Sequence, residues 1–335
     1  MSFSIPVIDL SPWFAGSAAD RRAVAREFDR AYREVGFLQV TGHGVPEPIV
    51  SGAFDAMDAF FTLPEEQKRR AVPANPELIS GYTARLSESF SYSLSIERPP
   101  DLMEGFMVNA DDVGRDPNTN PYSRNVWPEQ PAWFRDRVWE YFTTVRELSF
   151  SLCRVAAIAL DVDPTFFDHV LHQANTMMRC NWYHRRADEV VLADEQMALG
   201  AHTDYGILTV LAADAVPGLQ VLDGDVWRDV APEPGAFIVN AGDALAVWTN
   251  DEWRSTVHRV LPSRTPGGQV RRSIALFQDG NVDAVIECLP TCQSPANPPK
   301  YAPITLGQHV IDKLEAGRQL VRTDAQQTIG ERLGS

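Results

Sequence analysis

Gly200-Ala201-His202-Thr203-Asp204-Tyr205-Gly206, running straight into Ile207-Leu208-Thr209-Val210-Leu211, is the stretch on which the reading of this 335-residue chain turns. A polar, glycine-flanked segment entering a short apolar run is the pattern of a turn opening into a strand. In extended backbone residues i and i+2 point to the same side, so the His202 imidazole and the Asp204 carboxylate converge on one face. Similar short runs lie around it: Met177 to Tyr183, Leu208 to Leu211, Leu219 to Leu222, Ala236 to Val239, Ala244 to Val247, Thr256 to Leu261 and Arg271 to Phe277. Turn signals separate them at the intervals of antiparallel sandwiches or barrels, and each is read as a strand.

Before residue 175 the periodicity is helical instead. Val24, Phe28, Ala31 and Val35 predict a helix over 20–35, and Val50, Phe54, Met57 and Phe61 one over 46–63. Phe37 to Val40 reads as a short strand and Gly42 to Pro46 as a turn. Residues 131–160 predict one long buried helix, 166–171 a shorter one, and 300–322 a last helix with Val310, Leu314 and Leu320 as its apolar positions. Between Pro64 and Pro131 the periodicity is weak, although Tyr82, Phe90, Tyr92 and Phe106 suit an ordered cover over a site. The organisation expected is a helical and irregular N-terminal region (4–120), a connecting long and short helix (121–172), a β core (173–283) and a helical C-terminal extension (284–335).

The 30 Lys+Arg against 45 Asp+Glu give a net charge of −15, which offers no broad basic footprint to nucleic acid. It leaves room for a local cationic pocket for a small anion. The longest apolar run, Val155 to Leu160, is far short of the ~20 residues that span a bilayer. The N-terminal MSFSIPVIDLSPWF has neither a basic nor an apolar leader region, so a cytoplasmic protein is expected. Four cysteines without a CxxC pair read as reduced thiols rather than a disulfide framework.

A metal face needs a third ligand. His258, in the strand-like run Thr256 to Leu261, supplies one. Two histidines and a carboxylate form the facial triad of non-haem Fe(II) oxygenases, which keeps positions open for cosubstrate and O₂. Zinc uses similar ligands, so spacing alone leaves the metal open. Thirteen residues beyond His258, Arg271-Arg272-Ser273-Ile274-Ala275-Leu276-Phe277 discriminates. By alternation Arg271 and Ser273 share one face while Arg272 turns with Ile274 and Leu276 to the other. A guanidinium fork beside a hydroxyl suits a carboxylate. The remaining histidines, His43, His169, His172, His184 and His309, carry no assignment, and His184 is turned away from the face of Asn181 and Tyr183.

HTDYGILTVL (202–211), PGLQVL (217–222), NAGDAL (240–245), STVHRVLPS (255–263) and RRSIALF (271–277), in that order, resemble the catalytic core of the isopenicillin-N-synthase-like Fe(II)/2-oxoglutarate oxygenases. IPVIDLS, REVGFLQVTGHGVP, FFTLPEEQK and PDLMEGF resemble that family's N-terminal region, so the likeness spans about residues 4 to 320. The resemblance implies a mainly β fold with flanking helices: a distorted double-stranded β-helix, or jelly roll, with a helical N-terminal region. It maps the iron ligands onto His202, Asp204 and His258, and the grip on the distal carboxylate of 2-oxoglutarate onto Arg271 and Ser273. Asn181 and Tyr183 fall where relatives carry an NxY stretch that approaches the cosubstrate, although His184 follows where many plant members have proline. Thr265 to Gly268 is an insertion relative to many members, read as lengthening a hairpin.

The same resemblance implies a dioxygenase using Fe(II), 2-oxoglutarate and O₂, with ascorbate as a supporting reductant. It would oxidise a small organic substrate, hydroxylation being the default and desaturation or ring chemistry sharing the same opening steps, and release succinate and CO₂. Phe90, Phe106, Tyr205 and Trp248 are candidates for the substrate lining, and Arg85 and Arg98 for meeting an anionic substrate. A monomer is the default. Three other readings stay open at the level of sequence: an oxidase of the isopenicillin N synthase type that does not use 2-oxoglutarate, a jelly-roll binding module without catalysis, and a zinc hydrolase.

Overall fold

The computed structural model describes residues 3–75, 78–94, 98–111, 124–192 and 195–319. Its first half comprises β1 (Val7–Asp9), α1 (Ser11–Ala15), α2 (Ala18–Glu34), β2 (Phe37–Thr41), α3 (Glu47–Phe61), α4 (Glu65–Arg69), β3 (Gly81–Thr83), β4 (Met103–Asn109), α5 (Phe134–Ala159) and α6 (Asp168–Leu171). The second half runs through β5 (Met177–Tyr183), β6 (Leu199–His202), β7 (Leu208–Ala213), β8 (Leu219–Asp223), β9 (Val226–Asp229), β10 (Phe237–Ala241), α7 (Asp243–Trp248), β11 (His258–Val260) and β12 (Arg271–Gln278). It closes with β13 (Val285–Ile286), β14 (Ile304–Thr305) and α8 (Leu306–Gln319). Leu320 and the rest of the C-terminal extension lie outside the described residues, as do the side chains of Tyr92 and Leu314.

Two sheets make the β core. The larger has the order β1-β2-β10-β7-β12-β5-β4-β3 and the smaller β6-β11-β8-β9. The region expected to be helical and irregular therefore also supplies strands to both ends of the large sheet. β2 pairs with β10 and β4 with β5. The helices start where expected because local chemistry fixes them. Ser17 and Asp20 form a reciprocal capping box ahead of α2. Along α5, Phe134, Val138, Phe142, Val145, Leu148 and Leu152 repeat at three and four residues and are all buried.

The large sheet has helices on one face and the smaller sheet on the other. Alternation sorts its side chains: Met178, Cys180, Trp182, Ile274 and Leu276 join the core beneath the helices. Met177, Arg179, Asn181, Tyr183, Arg271, Ser273, Ala275 and Phe277 line the cavity between the sheets.

Two local expectations are corrected. Ala244 to Val247 is helical, part of α7. Gly242 lies so close to the turn after Asp204 that a Cβ would stand 2.2 Å from the Gly206 carbonyl oxygen. From that contact the Asp243 and Ala244 amides bond back to the Asp204 and Gly206 carbonyls, and the chain coils. A short buried apolar run does not declare its period, so sequence alone misreads it. The 265–268 insertion lengthens no hairpin, because β11 pairs with β6 and β8 whereas β12 pairs with β5 and β7. It lies in a crossing from one sheet to the other, held by the Arg185 guanidinium on the Ser263 and Arg264 carbonyls.

Candidate active site

β6 and β11 are neighbours, and their register sets His202 opposite His258. The two rings stand 4.3 Å apart between centroids. Asp204, just past the end of β6, turns its Oδ1 towards both, 3.9 Å from His202 Nε2 and 3.8 Å from His258 Nε2. All three side chains are buried, with one ligand atom of each within 4.8 Å of the others.

Hydrogen bonds aim these atoms. His202 Nδ1 lies 2.7 Å from the Gly200 carbonyl and His258 Nδ1 3.1 Å from the Thr256 carbonyl. A carbonyl only accepts, so each Nδ1 carries the proton and each Nε2 lone pair is presented to the gap. Asp204 Oδ2 accepts from Thr209 Oγ1 at 2.5 Å and Asn240 Nδ2 at 2.7 Å, which leaves Oδ1 for the same point. Burial pushes the His202 imidazole down to about 4, His258 beside it acting in the same sense, so the ring is neutral and able to ligate near pH 7. The geometry fits one divalent ion on three protein ligands with its other positions open.

The triad opens into a 340 Å³ cavity. On the large-sheet wall Arg271 pairs across strands with Tyr183, and Ser273 with Asn181. The Arg271 guanidinium lies 5.1 Å from the centre of the Tyr183 ring, and Asn181 Nδ2 donates to Ser273 Oγ over 3.4 Å. Arg271 is only 4% exposed, yet among the described residues its Nε and Nη1 find no partner, and neither does Asn181 Oδ1. Buried donors are normally satisfied, and leaving a charged one unsatisfied costs several kcal/mol, roughly. A carboxylate in the cavity would give these donors an acceptor.

Two of the four aromatic candidates face this space. Phe90 stands 5.3 Å from the His202 ring, and Phe90 and Tyr205 both line the cavity. Phe106 does not, because on β4 it points to the helical side and packs on Phe60 and Phe134 at 5.1 and 4.8 Å. Trp248 is likewise buried elsewhere, against Phe167 at 5.4 Å. Arg85 and Arg98 are engaged by Glu189 and Glu195. His184 lies away from the cavity, 3.7 Å from Glu104.

Sequence reasoning passed over several groups. Thr209 and Asn240, which fix Asp204, lie in HTDYGILTVL and NAGDAL. Arg179, two residues before Asn181 and so on its face, was open to the same alternation argument. Asp243 accepts from Thr203 Oγ1 at 3.0 Å and pairs with Lys313 of α8 at 2.7 Å, and Val310 of that helix lines the cavity. No local pattern announces that link.

A jelly roll carrying a 2-His-1-carboxylate triad beside an anion-hungry arginine defines a non-haem metal oxygenase that draws on an acidic cosubstrate. Residues 174–280 match the 2OG-Fe(II) oxygenase superfamily, and residues 5–130 the family described as non-haem dioxygenase in morphine synthesis, N-terminal. The chain is 34% identical over 316 residues to the 2-oxoglutarate-Fe(II) type oxidoreductase hxnY of Emericella nidulans, covering 90% of this chain and 86% of that one. A full-length Neurospora crassa protein crystallised in complex with alpha-KG and thymine superimposes with a TM-score of 0.80 at 28% identity, covering 93% and 96%. JOX2 in complex with 2OG, Fe and JA gives 0.77 at 27% identity, covering 98% and 89%. The chain belongs to the 2OG-Fe(II) oxygenase superfamily. It is an oxidoreductase, a dioxygenase dependent on Fe(II), 2-oxoglutarate and O₂.

Proposed function

We propose that His202, Asp204 and His258 hold the Fe(II), that Arg271 and Ser273 hold the distal carboxylate of 2-oxoglutarate, and that Asn181 and Tyr183 complete its pocket. The observation carrying this reading is the buried Arg271 guanidinium, whose Nε and Nη1 have no partner among the described residues and which lines the same cavity as the triad. Fe(II) and 2-oxoglutarate, when bound, supply the O₂-activating oxidation that yields succinate and CO₂ alongside the oxidised substrate. The chain's residues position and exclude. The three triad side chains would hold the metal, and Thr209 and Asn240 keep Asp204 from rotating. Arg271 and Ser273 would hold the distal carboxylate of the cosubstrate, on the large-sheet wall of the cavity into which the triad opens.

The substrate is a small organic molecule oxidised by hydroxylation, in a cytoplasmic monomer of 37.3 kDa with neither nucleic acid nor membrane as partner. Among the described residues no helix is long and apolar enough to cross a membrane. The test is anaerobic addition of 2-oxoglutarate to the Fe(II)-loaded protein, which is expected to develop the weak visible charge-transfer band of the chelate. Arg271→Met is expected to shift the half-saturating 2-oxoglutarate concentration upward by roughly 10- to 100-fold, the loss of a charge-assisted pair. A band that titrates identically in the variant would overturn the assignment of Arg271.

A further inference from the structure

Arg179 lines the cavity on the same strand face as Asn181 and Tyr183, farther along β5 from the Arg271 end. It is 4% exposed. Its Nη2 pairs with Glu88, while its Nε is buried and has no partner among the described residues. A Cβ on Gly105 of β4 would stand 2.6 Å from Arg179 Nε, so glycine there leaves the guanidinium room to lie against β4. The guanidinium packs 5.1 Å from the centre of the Phe90 ring, whose other neighbour is His202. The second carboxylate nearby, Asp101, is occupied by the Phe90 and Gly200 amides at 2.8 and 2.9 Å. Burial pushes its carboxyl up to about 7, which weakens its claim on Arg179. Apart from Glu88 and His202, the cavity lining near this guanidinium includes the apolar side chains of Phe90, Met107, Met177, Phe277 and Val310.

We infer that Arg179 determines substrate specificity by taking an sp² oxygen, of a carboxylate or a neutral carbonyl, carried on a small ring-bearing molecule. This rests on the reading that Arg271 and Ser273 hold 2-oxoglutarate, since only then is the Arg179 end left for the substrate. A carboxylate spans Nε and Nη2 as a fork by displacing Glu88, whose side chain is 41% exposed and returns to water cheaply. A neutral carbonyl takes Nε and leaves the ion pair in place. Aromatic and thioether walls favour a planar ring, and a 340 Å³ space shared with the cosubstrate limits its size.

The experiment is anaerobic calorimetric titration of protein saturated with Fe(II) and 2-oxoglutarate, using benzoate, benzamide and toluene as probes. At least one oxygen-bearing probe is expected to bind tenfold or more tightly than toluene, and Arg179→Met to remove that preference. Tighter benzoate, strengthened severalfold by Glu88→Gln, assigns an acid, and tighter benzamide assigns a neutral carbonyl. If Arg179→Met does not fold, Glu88→Gln carries the test, because it must change the benzoate-to-benzamide ratio severalfold. Equal binding of the three probes, binding of none, a preference that survives in Arg179→Met, or a ratio indifferent to Glu88→Gln overturns the inference. A wild-type protein that never develops the 2-oxoglutarate band overturns the Arg271 reading instead, whatever the probes do.

Discussion

Single side chains in this site are held by partners that do no chemistry themselves. Asp204 has one oxygen committed to Thr209 and Asn240 and the other turned to the histidines. Removing such an orienting bond weakens metal binding by about 10- to 100-fold. Asn240→Ala is therefore expected to raise the Fe(II) dissociation constant by that factor, which competition with a chromophoric chelator measures. Asp204→Ala takes away the carboxylate of the proposed triad and is expected to abolish stoichiometric iron. The sequence pointed to His202, Asp204 and His258, which the fold brings together, because each stood in a recognisable run, and alternation then placed Arg271 with Ser273 and turned Arg272 away. The same rule reaches Arg179 from Asn181, but an arginine in a strand has no distinguishing mark until its unsatisfied nitrogen is seen. Phe106 and Trp248 failed as candidates because aromatic residues are the usual filling of a core, and one face of a strand cannot be told from the other without its partners.

Elements differ in how plainly they are written. The long helices followed from their three-and-four spacing, because one face of each is buried and the other wet. β4 was hidden, since only one of its seven residues escapes full burial and no alternation survives. α8 carries the clearest element-scale consequence. Lys313, 2% exposed, meets Asp243 behind the triad loop, and Lys313→Met leaves that carboxylate buried without its cation. Breaking a buried pair from one side costs about 3–5 kcal/mol, so a lower thermal midpoint is expected. His309 on the same helix is buried near Asp243, and burial pushes its imidazole down to about 4 from the usual 6.5. Because the folded state resists the proton that the unfolded chain accepts, the stability is complete above pH 6.5 and is lost as pH falls towards 4, by up to about 3 kcal/mol. Denaturant unfolding of wild type and His309→Gln across that range tests this, and parallel curves would refute it.

At the scale of the whole molecule, the net charge of −15 coexists with two buried arginines facing one cavity. Global charge governs long-range encounter and local charge governs a pocket. The protein is accordingly expected to pass unretained through heparin at about 50 mM salt, a condition under which phosphate-binding proteins are held. The large sheet also joins the two halves of the chain, with β2 against β10 and β4 against β5. That arrangement has a consequence in time. During synthesis β2 emerges with its apolar edge complete, but its partner β10 is still about 200 residues away, and such distant pairings form slowly. Until β10 arrives, the amino-terminal third is an unfinished sheet edge open to the wrong partner, so the yield of native protein should depend on how well that edge is shielded while the ribosome finishes the chain.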